Sequence, residues 1–353
     1  MKYARIIQQY KYDLRTWNGD GNLGDCIQNL AVENLYNEMG INNLEKVNRD
    51  DIANYKGEKV ILPMQGWFGN VHKVFPANWS KDIHPIFVGF HLNTLCNCRI
   101  KFINNNVHKK MKEFEPIGCR DRNTRDFLQA FGVNAYFSGC LTLTFPKREK
   151  EPINGKIFLV DVPEETIEKL PAKIQNNAEK VTHNYEYREY PVTKEEAEEF
   201  ENYARQLLEK YKNEAKLIIT SRIHCAMPCI AMGIPVILII NDIGNCRLDV
   251  LDGIIPKYSP EDIPIINWTP KAPDIEDLKY LIKENAKAQI LGKPNFDILR
   301  KLNKKTELLY KSGKTYIYYR IYTCFSENFK KCCAWFQFIF KNLYLLGYLL
   351  ELL

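Results

Sequence analysis

The chain has 353 residues, 45% hydrophobic and 26% charged, with 18 Gly and 17 Pro scattered along it. That composition suits about two globular domains and excludes disordered, collagen-like and coiled-coil classes. The charge balance of 49 Lys+Arg against 43 Asp+Glu gives +6. This is too weak to argue for DNA or RNA, yet it is compatible with anionic small molecules or a lipid surface.

In chain order, the first ten residues carry Lys2 and Arg5 with no apolar stretch behind them, so no secretory signal is expected. An amphipathic helix is predicted over 25–39, followed by short apolar runs at 60–63 (VILP) and 86–90 (IFVGF) that look like buried strands. A helix over 122–131, strands over 135–137, 156–160 (KIFLV), 216–220 (KLIIT) and 235–240 (PVILII), and a helix over 194–211 complete an alternating α/β order. The charged, Pro- and Gly-containing stretch PKREKEPING at 146–155 marks a boundary. It divides the chain into 1–148, 149–300 and a tail, 301–353, with function expected in a cleft between the first two.

Three segments carry chemistry. Asn18 to Gln28 (NGDGNLGDCIQ) is a glycine-rich turn feeding a helix. Its glycines, Gly24 among them, let backbone approach a ligand, and Asp25 either caps the helix or receives a substrate hydroxyl. At 220–238 (TSRIHCAMPCIAMGIPVIL), a buried strand ends at Ser221 and delivers Arg222 and His224 beside a helix N-terminus. Two cations there form a receptor for a carboxylate or phosphate. At 117–125 (IGCRDRNTR), Arg120 precedes a helix and is the residue expected to face the cleft, whereas Arg122 and Arg125 are expected to be solvated or paired at the surface. His91, ending the run at 86–90, is a further candidate. No metal-ligand spacing, nucleophile elbow or Walker A loop occurs, so neither a metal nor a cofactor is expected.

The ordered set NLGDCIQNLA (22–31), GCRDRNTRDFL (118–128), FSGCLTLTF (137–145) and SRIHCAMPCIAMGIPV (221–236) resembles the polysaccharide pyruvyl transferase family over about residues 15–250. The resemblance implies two Rossmann-like domains with a GT-B-like interdomain cleft. The donor is then phosphoenolpyruvate, and the acceptor a sugar of a cell-surface glycan or its lipid-linked precursor. The product is a pyruvate ketal, with release of phosphate. It further implies that Arg120 and Arg222 hold the donor and that His224 is the acid, a task suited to a group that titrates near neutral pH. Asp25 is then the candidate base, and Asn22, Gly24, Ser221, Ile223 and His91 the remaining substrate contacts. Where many members carry an acidic residue and a proline near the end of the first domain, this chain has Ser138-Gly-Cys-Leu-Thr-Leu-Thr144.

Two other classes compete. One is a GT-B-like glycosyltransferase using a nucleotide sugar, disfavoured by the Arg-x-His pair and by the lack of an acidic ribose ligand after Gly233-Ile-Pro235. The other is a non-catalytic glycan-binding subunit, favoured if Arg222 and His224 do not face a common cleft. The apolar end, 331–353 (KCCAWFQFIFKNLYLLGYLLELL), is expected to lie in a membrane interface or to pack on the core or on a partner subunit, with Lys341 arguing against a span. Eleven cysteines without paired spacing fit a reducing compartment, and the expected location is the cytoplasm, at the inner face of the membrane if the tail binds lipid.

Overall fold

A computed structural model describes residues 1–11, 13–14, 21–69, 79–93 and 96–329, the side chains of 96, 97 and 314–329 apart. The proposed interfacial segment at 331–353 and the first three residues of the glycine-rich turn (18–20) lie outside the described residues.

The strands are β1 (Lys2–Ile7), β2 (Gly21–Asn22), β3 (Leu44–Asn48), β4 (Val60–Pro63), β5 (Gly66–Phe68), β6 (Ile83–Ile86), β7 (Phe90–Leu92), β8 (Ile117–Cys119), β9 (Ala135–Phe137), β10 (Lys156–Val160), β11 (Ala178–Val181), β12 (Asn184–Tyr185), β13 (Ala215–Thr220), β14 (Val236–Ile239) and β15 (Lys257–Tyr258). The helices are α1 (Leu23–Glu38), α2 (Cys96–Asn104), α3 (Val107–Met111), α4 (Arg122–Ala130), α5 (Glu164–Ile167), α6 (Ala172–Gln175), α7 (Lys194–Glu214), α8 (Ile223–Ala231), α9 (Glu276–Ile290) and α10 (Phe296–Phe329).

The first half builds two parallel sheets, ordered β3-β1-β4-β6 and β5-β7-β8-β9. They are two ends of one surface. β4 runs on into β5 and β6 into β7, and the seam between them is crossed by backbone bonds from Met64 N to Ile86 O (2.7 Å) and from Gly66 N to Gly89 O (3.2 Å). The run at 86–90 is therefore not one strand. It breaks at Gly89, whose φ of +65° only glycine adopts cheaply, and whose N–H is taken by Ser138 Oγ (2.9 Å) instead of the ladder. Ser138, in the segment that departs from the family pattern, thus has a scaffolding contact, since its hydroxyl also donates to Cys119 O (3.1 Å).

The second half forms one parallel sheet, β11-β10-β13-β14-β15. Counting each half's strands in chain order and treating β4/β5 and β6/β7 as single paths, both sheets run 2-1-3-4-5, the first with a sixth strand added. That is a doubly wound order, whose ligands gather at the carboxyl ends of the strands. The strands of the two halves fall on either side of the 146–155 stretch, apart from the small antiparallel pair in which β2 joins β12.

The largest core lies between the sheets, where α1, α7 and α8 pack together. In α1, Leu23, Ile27, Leu30, Ala31 and Leu35 recur at helical spacing and are all at least 98% buried; each large side chain contributes about 1.5–3 kcal/mol. Apart from His224, α8 is apolar all round, and it is wholly buried, as a central helix must be. A charged clasp crosses the halves: Arg5 of β1 pairs with Glu33 of α1 (2.8 Å) and Glu201 of α7, and Arg205 bridges the same two carboxylates at 2.8 Å. Burial would raise the Glu201 carboxyl, but Arg5 and Arg205 outweigh it and hold the group below its ordinary value.

Candidate active site

The N-termini of α1 and α8 converge. Asn22, extended at φ −97°, caps α1 by accepting from Gly24 N (2.9 Å), so the cap is Asn22 and not Asp25, which sits inside the first turn. The backbone N–H of Leu23 then donates to His183 O (2.9 Å), and β2 pairs with β12, which fastens the turn to the second half. At Gly24 the approach is close: a Cβ there would lie 3.0 Å from the Cβ of His224 and 3.2 Å from its Nδ1. A side chain here would have to push His224 or the Asn22 cap aside by a few tenths of an ångström, and glycine avoids that.

His224 lies in the first turn of α8, which starts without a side-chain cap. No partner is found for the N–H groups of Ile223 and His224 among the described residues, so both remain available to an anion. Arg120, at the end of β8 and fully buried, donates from Nη1 to Gln28 Oε1 (2.8 Å) and faces His224 Nε2 at 3.2 Å. A guanidinium can only donate, so Nε2 accepts and the resting ring is neutral, with its proton on Nδ1. Burial, Arg120 and Arg247 all disfavour the imidazolium and hold His224 well below its ordinary value. The positive end of the α8 dipole acts in the same direction. The expectation of an acid titrating near neutral pH thus does not describe the ligand-free chain; the ring needs nearby negative charge before it can hold a second proton.

Arg222, the α8 N-cap, donates from Nε to Asp161 Oδ2 (2.9 Å) and from Nη2 to Asn184 Oδ1 (2.7 Å). Asp161 follows β10 in the left-handed region (φ +49°), and its carbonyl accepts from Ser221 Oγ at 2.5 Å. Arg222, His224, Ser221, Ile223, Asn22 and Gly24 line one cavity of about 400 Å³ at the carboxyl ends of β10, β13 and β14. Six of the nine residues chosen from sequence therefore meet there, and Arg222 and His224 share a cleft as an enzyme requires. Arg120 touches the cavity through His224.

Two of the nine are occupied elsewhere. Asp25 Oδ2 accepts from Arg49 (3.0 Å), and the residue is not on the cavity wall. His91 is buried and bonds through Nδ1 to Asp121 Oδ2 at 2.5 Å. Burial lowers its value to about 4 despite the opposing carboxylate, so a neutral ring donates to an ionised Asp121. That pair braces the turn carrying Arg120. Arg122, expected at the surface, is instead buried: it lies over the rings of Phe137 (4.4 Å) and Tyr310 (3.8 Å) and donates to Thr306 O (3.0 Å), locking α10 to the body. Arg125 is paired as expected, with Asp126 and Glu307.

Sequence reasoning missed Asp161, Gln28 and Arg247. Arg247 follows the end of β14 on a turn capped by Asn245, whose Oδ1 accepts from Arg247 N (3.0 Å), and it lines the cavity. It stands eight residues past the end of β14, so the only signal in the sequence was that it belongs to the loop leaving a strand's carboxyl end. Among the described residues no cluster of metal-ligating side chains occurs, and no helix is long and apolar enough to cross a membrane. The seven cysteines whose side chains are described form no disulfide, and six of them are buried.

A parallel α/β scaffold here sets arginines and helix N-termini around a buried histidine, an arrangement that can receive a small anion. Residues 100–243 match the model of the polysaccharide pyruvyl transferase family, the family the motifs resemble. That match supports a transferase enzyme. A search of curated proteins finds no match. Among solved structures, an uncharacterised protein from Klebsiella pneumoniae is similar at 15% identity and a TM-score of 0.39, over 70% of this chain and 87% of that one. A putative UDP-N-acetylglucosamine 2-epimerase from Listeria monocytogenes is similar at 12% identity and a TM-score of 0.27, over 94% and 98%. At these scores neither likeness bears on fold or function.

Proposed function

We propose that the chain transfers a pyruvyl group from phosphoenolpyruvate to two hydroxyls of a sugar in a surface polysaccharide or its lipid-linked precursor, forming a ketal and releasing phosphate. The carrying observation is the juxtaposition of Arg120 with His224 at a cavity that Arg222 also lines. A donor bearing both a carboxylate and a phosphate calls for more than one cation, and arginine meets each group with a fork. In this reading 1–148 and 149–300 are two Rossmann-like domains in a GT-B-like arrangement, with the donor bound mainly by the second.

His224, protonated as the donor's negative charge arrives, gives its proton to the enol methylene and makes the methyl carbon. The neighbouring carbon becomes oxocarbenium-like and is attacked by one sugar hydroxyl; the C–O bond to phosphate then breaks and the second hydroxyl closes the ketal. Of the two hydroxyl protons, one returns to His224 and the other leaves with phosphate, so the balance closes. Asp25 accepts the hydroxyl proton only if it parts from Arg49, which makes His224 the better-placed base for that step.

Calorimetric titration of phosphoenolpyruvate, beside UDP- and GDP-sugars, tests the donor. The expected result is saturable binding of phosphoenolpyruvate, weakened in Arg222→Ala, and retained in His224→Gln without turnover. Binding of a nucleotide sugar in its place would overturn the reading in favour of a glycosyltransferase.

A further inference from the structure

The cavity contains a cation with no partner among the described residues. Arg222 holds Asp161, and Arg49 holds Asp25. Arg247 differs: no hydrogen bond or ion pair from its guanidinium is found among the described residues, and its Nε is buried without an acceptor. Burial and the nearby charge of Arg120 disfavour its own charge, with Asp25 opposing them. An unpaired, largely enclosed guanidinium destabilises a fold, so nothing in the ligand-free scaffold accounts for it.

Its surroundings supply the reason. Three arginines, Arg120, Arg222 and Arg247, act on this corner, and Arg120 also keeps two N–H groups, Nε and Nη2, buried without acceptors. The groups acting most strongly on His224 are Arg120, Arg247, His183 and His91, none of them negative. A ligand carrying a phosphate of about −1.5 to −2 together with a carboxylate brings the opposite charge that this constellation lacks.

We propose that Arg247 is an anion-binding residue of this cavity, a third cation that completes the receptor by taking an anionic group of the donor. The inference rests on the proposed donor only for the identity of the anion. Burial is the main cause that keeps His224 neutral, with the repulsion of Arg120 and Arg247 adding to it; an anion that neutralises both arginines and brings negative charge beside the ring opposes that burial, so donor binding favours protonation of the ring. Arg247 therefore serves affinity directly and the protonation of the acid indirectly.

The test titrates phosphoenolpyruvate and, separately, inorganic phosphate into the full chain and into Arg247→Met and Arg247→Lys, in two buffers of different ionisation enthalpy. The expected result is about a 10- to 100-fold loss of affinity in Arg247→Met, consistent with a charge-assisted contact, and partial recovery in Arg247→Lys. Proton uptake on binding phosphoenolpyruvate should be smaller in Arg247→Met than in the parent. Without ligand, the thermal midpoint of Arg247→Met should be unchanged or higher, because an unsatisfied charge has been removed. Parental affinity of Arg247→Met for both probes would overturn the inference, as would loss of binding accompanied by a ligand-free midpoint several degrees lower, which marks a scaffold residue. If phosphate binds in an Arg247-dependent way while phosphoenolpyruvate does not bind, the donor reading fails and the inference stands. If the parent binds neither, both fail.

Discussion

Replacing His91 with glutamine should make the fold less sensitive to acid. His91 is held neutral inside the protein at about 4, against an ordinary value of 6.5, chiefly because burial outweighs the pull of Asp121. As pH falls below 6.5 the unfolded chain binds a proton that the folded chain refuses until about pH 4, so stability is lost across that window and not above it. Between pH 8 and pH 5.5 this one ring removes about 1.4 kcal/mol. Asp249 works in the opposite sense. Burial and Asp252 raise its carboxyl to about 6, so the folded chain binds that proton first and gains stability as pH falls from there towards 3.8. Asp249 and His224 are common to both proteins, so they cancel in the comparison. The glutamine amide introduced by His91→Gln can still donate to Asp121 but does not titrate. Urea denaturation of parent and His91→Gln at the two pH values should therefore show a loss about 1.4 kcal/mol smaller in the variant. Equal losses would refute the argument, because they would mean that the folded ring titrates as it does in the unfolded chain.

Gly24→Ala should destabilise by about 1–3 kcal/mol by overpacking and should lower turnover further by displacing His224, measured as kcat beside the thermal midpoint. Asn22→Ala removes the α1 cap and should cost about 1 kcal/mol, read from the denaturation midpoint, with a rise in KM because the same turn lines the cavity. Arg222→Lys loses the fork that joins Asp161 to Asn184. The affinity for phosphoenolpyruvate should fall by about tenfold, as for loss of one charge-assisted contact; unchanged affinity would remove Arg222 from the receptor.

Much of the scaffold was legible because buried parallel strands are nearly continuous apolar runs: KIFLV, KLIIT and PVILII each contain a strand, and the helices over 25–39, 122–131 and 194–211 lie within a few residues of those found. β1 was not legible, since Lys2 and Arg5 interrupt its pattern and only the distant Glu33 and Glu201 explain a buried arginine there. β3 (LEKVN) is an edge strand with one fully buried residue, and β8 is three residues long, too short for periodicity to register. At the site, Arg222 and His224 were conspicuous because they follow a strong strand directly. Arg247 stands eight residues past the end of its strand, and only the fold of that loop returns it to the cavity. Asp25 and His91 had plausible positions in the chain, but their occupancy by Arg49 and Asp121 is a tertiary fact that spacing does not encode.

The pairing of β2 with β12, with the bond from Leu23 N to His183 O, gives the cavity an unusual mechanical status. In a hinged enzyme the two halves can part while each keeps its share of the site. Here the stitch crosses the halves at the wall itself, and the Arg5 clasp crosses them behind it, so any motion that widens the gap also tears the wall apart. Access and assembly cannot be exchanged for one another. Asn241 and Asp242, both exposed, line the same cavity and leave it open to solvent with that stitch intact.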